Sequence, residues 1–312
     1  RVGAHEVKTD SEGVCFCILQ NYDIMIFMST SMREKLSIEK TCLTELKALI
    51  ARDPMKYGLL AAGLYLGPLM PGIDREDMRL ARAAYFFARH IDDSLDEQPP
   101  QHSGDRVIET QLPRYMSQLE RSGHRIAPLG RYALSELARR REPDDDPTND
   151  FQRLLDAMYF DADRSATHHA MSSAALSQYY GNTMRATNLM LIGFRSRLRQ
   201  DVHFPGFADA VGTVYSARDF SIDWPRGICN IPREVIGSVC MSSVSTLDAQ
   251  TIMHEPAVAA WQAEALDSAQ NTLMQTRKAI ESFRGNDTGA LIVDLFTLGA
   301  LRTARAIVRE AA

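Results

Sequence analysis

Two short acidic stretches carry the spacing that chemistry needs. In RHIDDSLDE, Arg89 to Glu97, Asp92 and Asp96 are four residues apart, with Asp93 between them and Arg89 three residues before. On a helix a four-residue step turns about 40° around the axis, so both carboxylates reach one ion, and Arg89 shares their face. Asp93 is turned away by about 100° and lines the edge. In SARDFSIDWPRG, Asp219 and Asp223 repeat the interval, Arg218 precedes them and Arg226 follows. One such pair is ordinarily a solvated helix face. Two pairs, each with an arginine and each attached to an apolar helix, are a weaker match to that reading. Facing carboxylates inside an apolar bundle repel one another, and divalent cations relieve the repulsion. Mg²⁺ takes oxygen ligands, keeps waters and bridges to phosphates. Arginines on the same rim suit a diphosphate.

The elements that must position these groups read as helices. MRLARAAYFFARHIDDSLDE, FQRLLDAMYF, ALSQYYGNTMRATNLMLIGF, WQAEALDSAQNTLMQTRKAIESF and ALIVDLFTLGALRTARAIVRE place apolar residues three and four apart. No β-branched alternation bounded by turns competes with them. Breaks are expected at Asp53-Pro54, Pro68–Gly72, 98–105, 142–150, Pro205-Gly206, 224–227 and 284–287. The expected architecture is one all-α bundle of about ten helices around a central cavity, over residues 33–312. Residues 1–32 read as an N-terminal extension.

Composition bounds the partners. The 312 residues are 45% hydrophobic, carry a net charge of −5 and have a pI near 5.9. Without a lysine-rich block, a nucleic-acid partner is not expected. The longest apolar run, Leu59–Met70, is too short to span a bilayer. The segment VCFCILQNYDIMIFM lacks a basic leader and is not read as a signal peptide. Five cysteines (Cys15, Cys17, Cys42, Cys229, Cys240) are odd in number and poorly spaced for zinc, which suggests reduced thiols in the cytoplasm. Peripheral membrane contact stays open. His168 and His169 are adjacent, point about 100° apart on a helix and do not readily share a metal.

The acidic stretches resemble the squalene and phytoene synthase family. Its first motif runs R-x-x-D-D-x-x-D, matched by Arg89, Asp92, Asp93 and Asp96, with Tyr85 upstream. Its second runs R-D-x-x-x-D-x-x-x-G-R-x-Y-x-P, matched by Arg218, Asp219, Asp223, Gly227 and Pro232. LSQYY, with Leu176 and Tyr179, resembles the L-x-x-Y before the family's central helix. The similarity covers about residues 50 to 310. It implies the all-α isoprenoid synthase fold, Mg²⁺, and ionisation of an allylic diphosphate.

The chain also departs from that pattern. Where the family has V-A-G-x-V-G, this sequence has Thr183, Met184, Arg185, Ala186, Thr187 and Asn188. Gly212 and Tyr215 replace the Gln and Asn before the second aspartate pair, and Ile228 and Asn230 replace the arginine and tyrosine after Gly227. Small residues let a long prenyl chain pass a helix closely, whereas arginine and asparagine fill that space.

The expected assignment is therefore a Mg²⁺-dependent prenyltransferase. It moves a short prenyl group, expected to be dimethylallyl, from an allylic prenyl diphosphate to a small, electron-rich aromatic acceptor of the carbazole type. Asp92, Asp93, Asp96, Asp219 and Asp223 are expected to bind metal. Arg89, Arg218, Arg185 and Arg226 are expected to hold diphosphate. Tyr85, Tyr179, Asn182, Asn188 and Tyr215 are expected to line the substrate pocket. The alternatives are a head-to-head synthase joining two long prenyl diphosphates, a terpene cyclase, and a non-catalytic scaffold.

Overall fold

The computed structural model describes residues 30–66, 74–96, 112–141, 146–165, 170–237, 248–285 and 287–311. The breaks expected at Pro68–Gly72 and 98–105, the histidines at 168 and 169, and nearly all of the N-terminal extension lie outside them. The chain divides into two units, Arg1–Ser37 and Ile38–Ala312. The described part of the first is the opening of helix α1 (Thr30–Arg52).

Among the described residues the structure is helical, without strands. After α1 come α2 (Pro54–Leu66), α3 (Arg75–Asp96), α4 (Leu112–Arg121), α5 (Ala127–Arg139), α6 (Pro147–Arg164) and α7 (Ser173–Thr183). Then follow α8 (Arg185–Gly193), α9 (Gln200–His203), α10 (Phe207–Asp223), α11 (Arg233–Ile236), α12 (Ala249–His254), α13 (Pro256–Ile280) and α14 (Thr288–Ala311). None is long and apolar enough to cross a membrane.

Local chemistry sets the boundaries. Asp74 caps α3, accepting the Asp77 amide at 2.7 Å. Asp146 caps α6 ahead of Pro147. Ser172 caps α7, accepting the Ala175 amide at 3.2 Å. Pro205-Gly206 starts α10 with Gly206 at φ 77°, and Gly227 at φ 82° ends the 3₁₀ turn that follows it, Trp224–Arg226. One expected helix is two: ALSQYYGNTMRATNLMLIGF breaks at Met184, which ends α7 and begins α8. The Thr183 hydroxyl donates to the Tyr179 carbonyl at 3.0 Å, a back-bond that competes with the helical ladder at this point.

Two large apolar clusters position the site. In the first, Leu80, Ala83, Phe87, Ile91 and Leu95 form the buried stripe of α3. Phe87 stacks on Phe151 of α6, with centroids 5.7 Å apart. This fixes the opposite face of α3, with its acidic end, at the edge of the core. In the second cluster, Val211 and Val214 of α10 pack with Leu273 of α13 and Val293 of α14. The two acidic helices thus belong to different clusters, joined through α6, α7 and α8.

Candidate active site

The first acidic stretch closes α3. Arg89 donates to Asp92 at 2.8 Å and also pairs with Asp93, and Arg52 of α1 approaches Asp93 at 3.3 Å. Asp92 and Asp93 are therefore held by one arginine on their own helix. Asp96 is the last residue of α3, and its side chain lies outside the described residues. Tyr85 sits one turn before Arg89, edge-on to Phe86 at 5.3 Å. Burial pushes its phenol up to about 12, so it stays protonated.

The second stretch closes α10. Arg218 grips Asp219 with two bonds, 2.7 and 2.6 Å, and its guanidinium lies 4.5 Å over the Tyr215 ring. Asp223 is different. Burial first, then the charges of Asp219 and Asp161, raise its carboxyl from the ordinary 3.8 to about 6, despite Arg164 and Arg226 nearby. Arg226 is exposed in the 3₁₀ turn.

Asp161 was not flagged by sequence reasoning, nor was Arg164. Both come from α6. Asp161 accepts the Tyr179 hydroxyl at 2.6 Å and the Arg164 Nε–H at 2.8 Å. The Arg164 side chain is 1% exposed, stacks 4.6 Å from the Tyr179 ring and donates to the Cys229 carbonyl at 3.2 Å. Burial and the Asp161 carboxylate keep Tyr179 protonated. Tyr179 and Asn182 line a cavity of about 420 Å³, together with Phe160, Met171 and Gln178 and a rim that includes Asp156 and Arg233. A larger hollow of about 570 Å³ lies over one face of α4 (Arg114, Ser117, Gln118, Arg121). Neither space shares a residue with the acidic segments, but the α4 hollow is bordered by a single helix, whereas Tyr179 bonds Asp161, whose charge acts on Asp223, so the Tyr179 cavity is the better candidate.

Arg185 and Asn188 are committed elsewhere. Arg185 donates to Asp150 at 3.1 Å and Asp201 at 2.7 Å. Asn188, fully buried, donates to Asp201 at 3.1 Å and accepts the Gln200 amide at 2.9 Å. Although burial works against it, bonds from Arg199 and Asn188 and the neighbouring arginines hold Asp201 down at about 2. Neither Arg185 nor Asn188 lines the cavity.

The two acidic helices do not merge into one cluster. Among the described residues no group of three or more His, Cys, Asp or Glu side chains is close enough to hold a metal. The arrangement is two separate carboxylate pairs, the second joined electrostatically to Asp161.

The raised Asp223 carboxyl has a measurable consequence. Its folded value lies above the unfolded one, so folding takes up a proton between about pH 4 and 6. The contribution of this group to stability falls as pH rises through that window and stays low above it. Asp223→Asn is thus expected to raise the thermal midpoint of the metal-free protein at neutral pH by roughly 2–4 °C, with the gain closing towards pH 4. Thermal unfolding in EDTA across that range is the check.

The squalene/phytoene synthase family model matches residues 73–311, which includes both acidic helices, the Tyr179 cavity and the Arg185 network. No curated protein and no solved structure matches the chain.

Proposed function

Because the chain belongs to the squalene/phytoene synthase family, a family of isoprenoid diphosphate-processing enzymes, we propose that it ionises a short allylic diphosphate, best dimethylallyl diphosphate, and transfers the prenyl group to an electron-rich aromatic acceptor of the carbazole type. The observation that carries this reading is the Arg185–Asp150–Asp201–Asn188 network. At residues 183–188, where the motif of the family has small residues, this chain has an ionic lock that joins α6, α8 and α9. A flat acceptor needs no passage for a long prenyl chain.

Mg²⁺ fits the donor set. Both acidic pairs offer only oxygen ligands, and Asp223 stands in need of countercharge. Mg²⁺ is commonly bound through one or two carboxylates, with waters and substrate phosphates completing the shell, so separate pairs suffice. Asp92, Asp93 and Asp96 would hold it at one end, Asp219 and Asp223 at the other. When bound, it supplies electrostatic stabilisation of the departing diphosphate. Arg89, Arg218 and Arg226 add positive charge at the same two helix ends. Arg185 is left out of this role, since its partners are Asp150 and Asp201.

In the proposed reaction the allylic C–O bond breaks and the electron pair leaves with diphosphate. The ring π electrons then form the new C–C bond. The ring proton passes to diphosphate or water, so no dedicated base is required. Tyr179, fixed by Asp161, and Asn182 shape the acceptor side, while Tyr85 offers an aromatic ring that favours a cation; the Tyr215 face is taken by Arg218.

Two mixtures with Mg²⁺ test the acceptor assignment. Dimethylallyl diphosphate with a carbazole or an indole phenol is expected to give an alkylated adduct. Farnesyl or geranylgeranyl diphosphate alone is expected to give no joined hydrocarbon. Hydrocarbon from the second mixture and no adduct from the first would establish head-to-head synthesis instead.

A further inference from the structure

Helix α14 buries one side and displays a patterned line on the other. Leu291, Leu295, Leu298, Arg302, Arg305 and Arg309 follow at alternating intervals of four and three residues. At about 100° per residue they stay within roughly 40° of one line along the helix. The line is about 27 Å long at 1.5 Å per residue, apolar in its first half and cationic in its second. Leu291 is 39% and Leu295 60% exposed, Leu298 is half-buried, and the three arginines are exposed. Val293, Ala300 and Ala304, on the opposite side, already anchor α14 in the second cluster. The exposed leucines are thus surplus to the core.

The charge on this line is not neutralised. Among the described residues none of Arg302, Arg305 and Arg309 has an ion-pair partner. Asp294 is the one acidic residue from Thr288 to Arg309. It is 6% exposed and engaged by Arg284 and Arg277. On the adjoining α13 the exposed Asp267 is bonded by Asn271 of its own helix. A chain of net charge −5 therefore gathers positive charge on this one face.

The pattern selects the occupant. A second copy fits poorly: parallel pairing sets arginine on arginine, and antiparallel pairing sets arginine on leucine. An anionic bilayer offers phosphates to the guanidinium groups and, a few ångströms deeper, an apolar layer to the leucines. Arginine stems lie along that layer while their heads stay at the phosphates. A straight line on one helix suits a flat surface, and α14 is not long and apolar enough to cross it. We infer that the exposed line of α14 docks this protein on the surface of an anionic lipid bilayer, with Leu291 and Leu295 inserted and Arg302, Arg305 and Arg309 on the headgroup phosphates.

Co-sedimentation of the full chain with vesicles tests this. Phosphatidylcholine vesicles with about one third phosphatidylserine are expected to bind wild type and to release it in high salt. Vesicles of phosphatidylcholine alone should leave it in solution. Combining Arg302→Gln, Arg305→Gln and Arg309→Gln should weaken binding roughly 100-fold, about fivefold per arginine. Leu291→Ser with Leu295→Ser should weaken it roughly tenfold. Combining Arg131→Gln, Arg139→Gln and Arg141→Gln removes the same charge elsewhere and should stay within about threefold of wild type. Melting curves of all variants should coincide with that of wild type, since every changed side chain is exposed. Wild type that ignores the anionic vesicles overturns the inference, as does a control variant that loses as much as the α14 arginine variant. Capture of wild type by polyglutamate without vesicle binding would overturn it in favour of an acidic protein partner. A wild-type dimer in sedimentation, dissociated by the α14 arginine changes and blind to vesicles, would overturn it in favour of a second copy.

Discussion

Replacing Asp92 and Asp219 together by asparagine is expected to lower turnover by at least about 10³-fold while changing stability by less than about 1 kcal/mol. The first figure follows from the role proposed for the two carboxylates. They are the leading residues of the pairs that bring countercharge to the leaving diphosphate, and losing one preorganised electrostatic group costs about 10²–10³. The second follows from their surroundings. Each side chain is 35% exposed and pairs with an arginine on its own helix, Arg89 for Asp92 and Arg218 for Asp219. Exposed local pairs contribute little, because water screens them and the side chains lose freedom in forming them. Diphosphate release and circular-dichroism melting, run side by side, read both quantities. A variant that folds, fails to turn over and still supports the biological role would point to a scaffold.

Arg164 should show the reverse pattern, a large effect on stability. Arg164→Leu is expected to destabilise the fold by about 3–5 kcal/mol, the usual consequence of breaking a buried ion pair from one side. The midpoint should drop by on the order of 10 °C. Its guanidinium is enclosed by Asp161, the Tyr179 and Phe160 rings and the Cys229 carbonyl, so each of these loses a partner at once. Arg164→Lys keeps the charge but not the flat face, and should recover only part of the loss. Urea unfolding of the three proteins measures it. A leucine variant within about 1 kcal/mol of wild type would show that Tyr179 and Asp161 hold each other without it.

The sequence displayed the acidic helices openly because their signal is local. The four-residue step of Asp92/Asp96 and Asp219/Asp223 needs only a helix, and the apolar stripe Leu80–Leu95 supplies one. The turns at Pro205-Gly206 and Gly227 were equally visible, since positive φ favours glycine. Arg164 was not visible. FDADR reads as a surface helix with a three-residue ion pair, and only the packing of α7 and the Cys229 segment around it buries the arginine. The partners of Arg185 were hidden for the same reason. Asp150 and Asp201 lie 35 and 16 residues away, on α6 and α9, and no periodicity connects them. The break at Met184 escaped because apolar spacing continues across it while the backbone does not.

The central claim is that this chain ionises an allylic diphosphate with help from Mg²⁺. Its most direct measurement is the release of inorganic diphosphate from dimethylallyl diphosphate by the wild-type protein, with carbazole present, in Mg²⁺ and in excess EDTA. Release in Mg²⁺, matched by alkylated carbazole and abolished by EDTA, is the predicted result. No release above the protein-free control in Mg²⁺, with dimethylallyl diphosphate or any longer allylic donor, would contradict it.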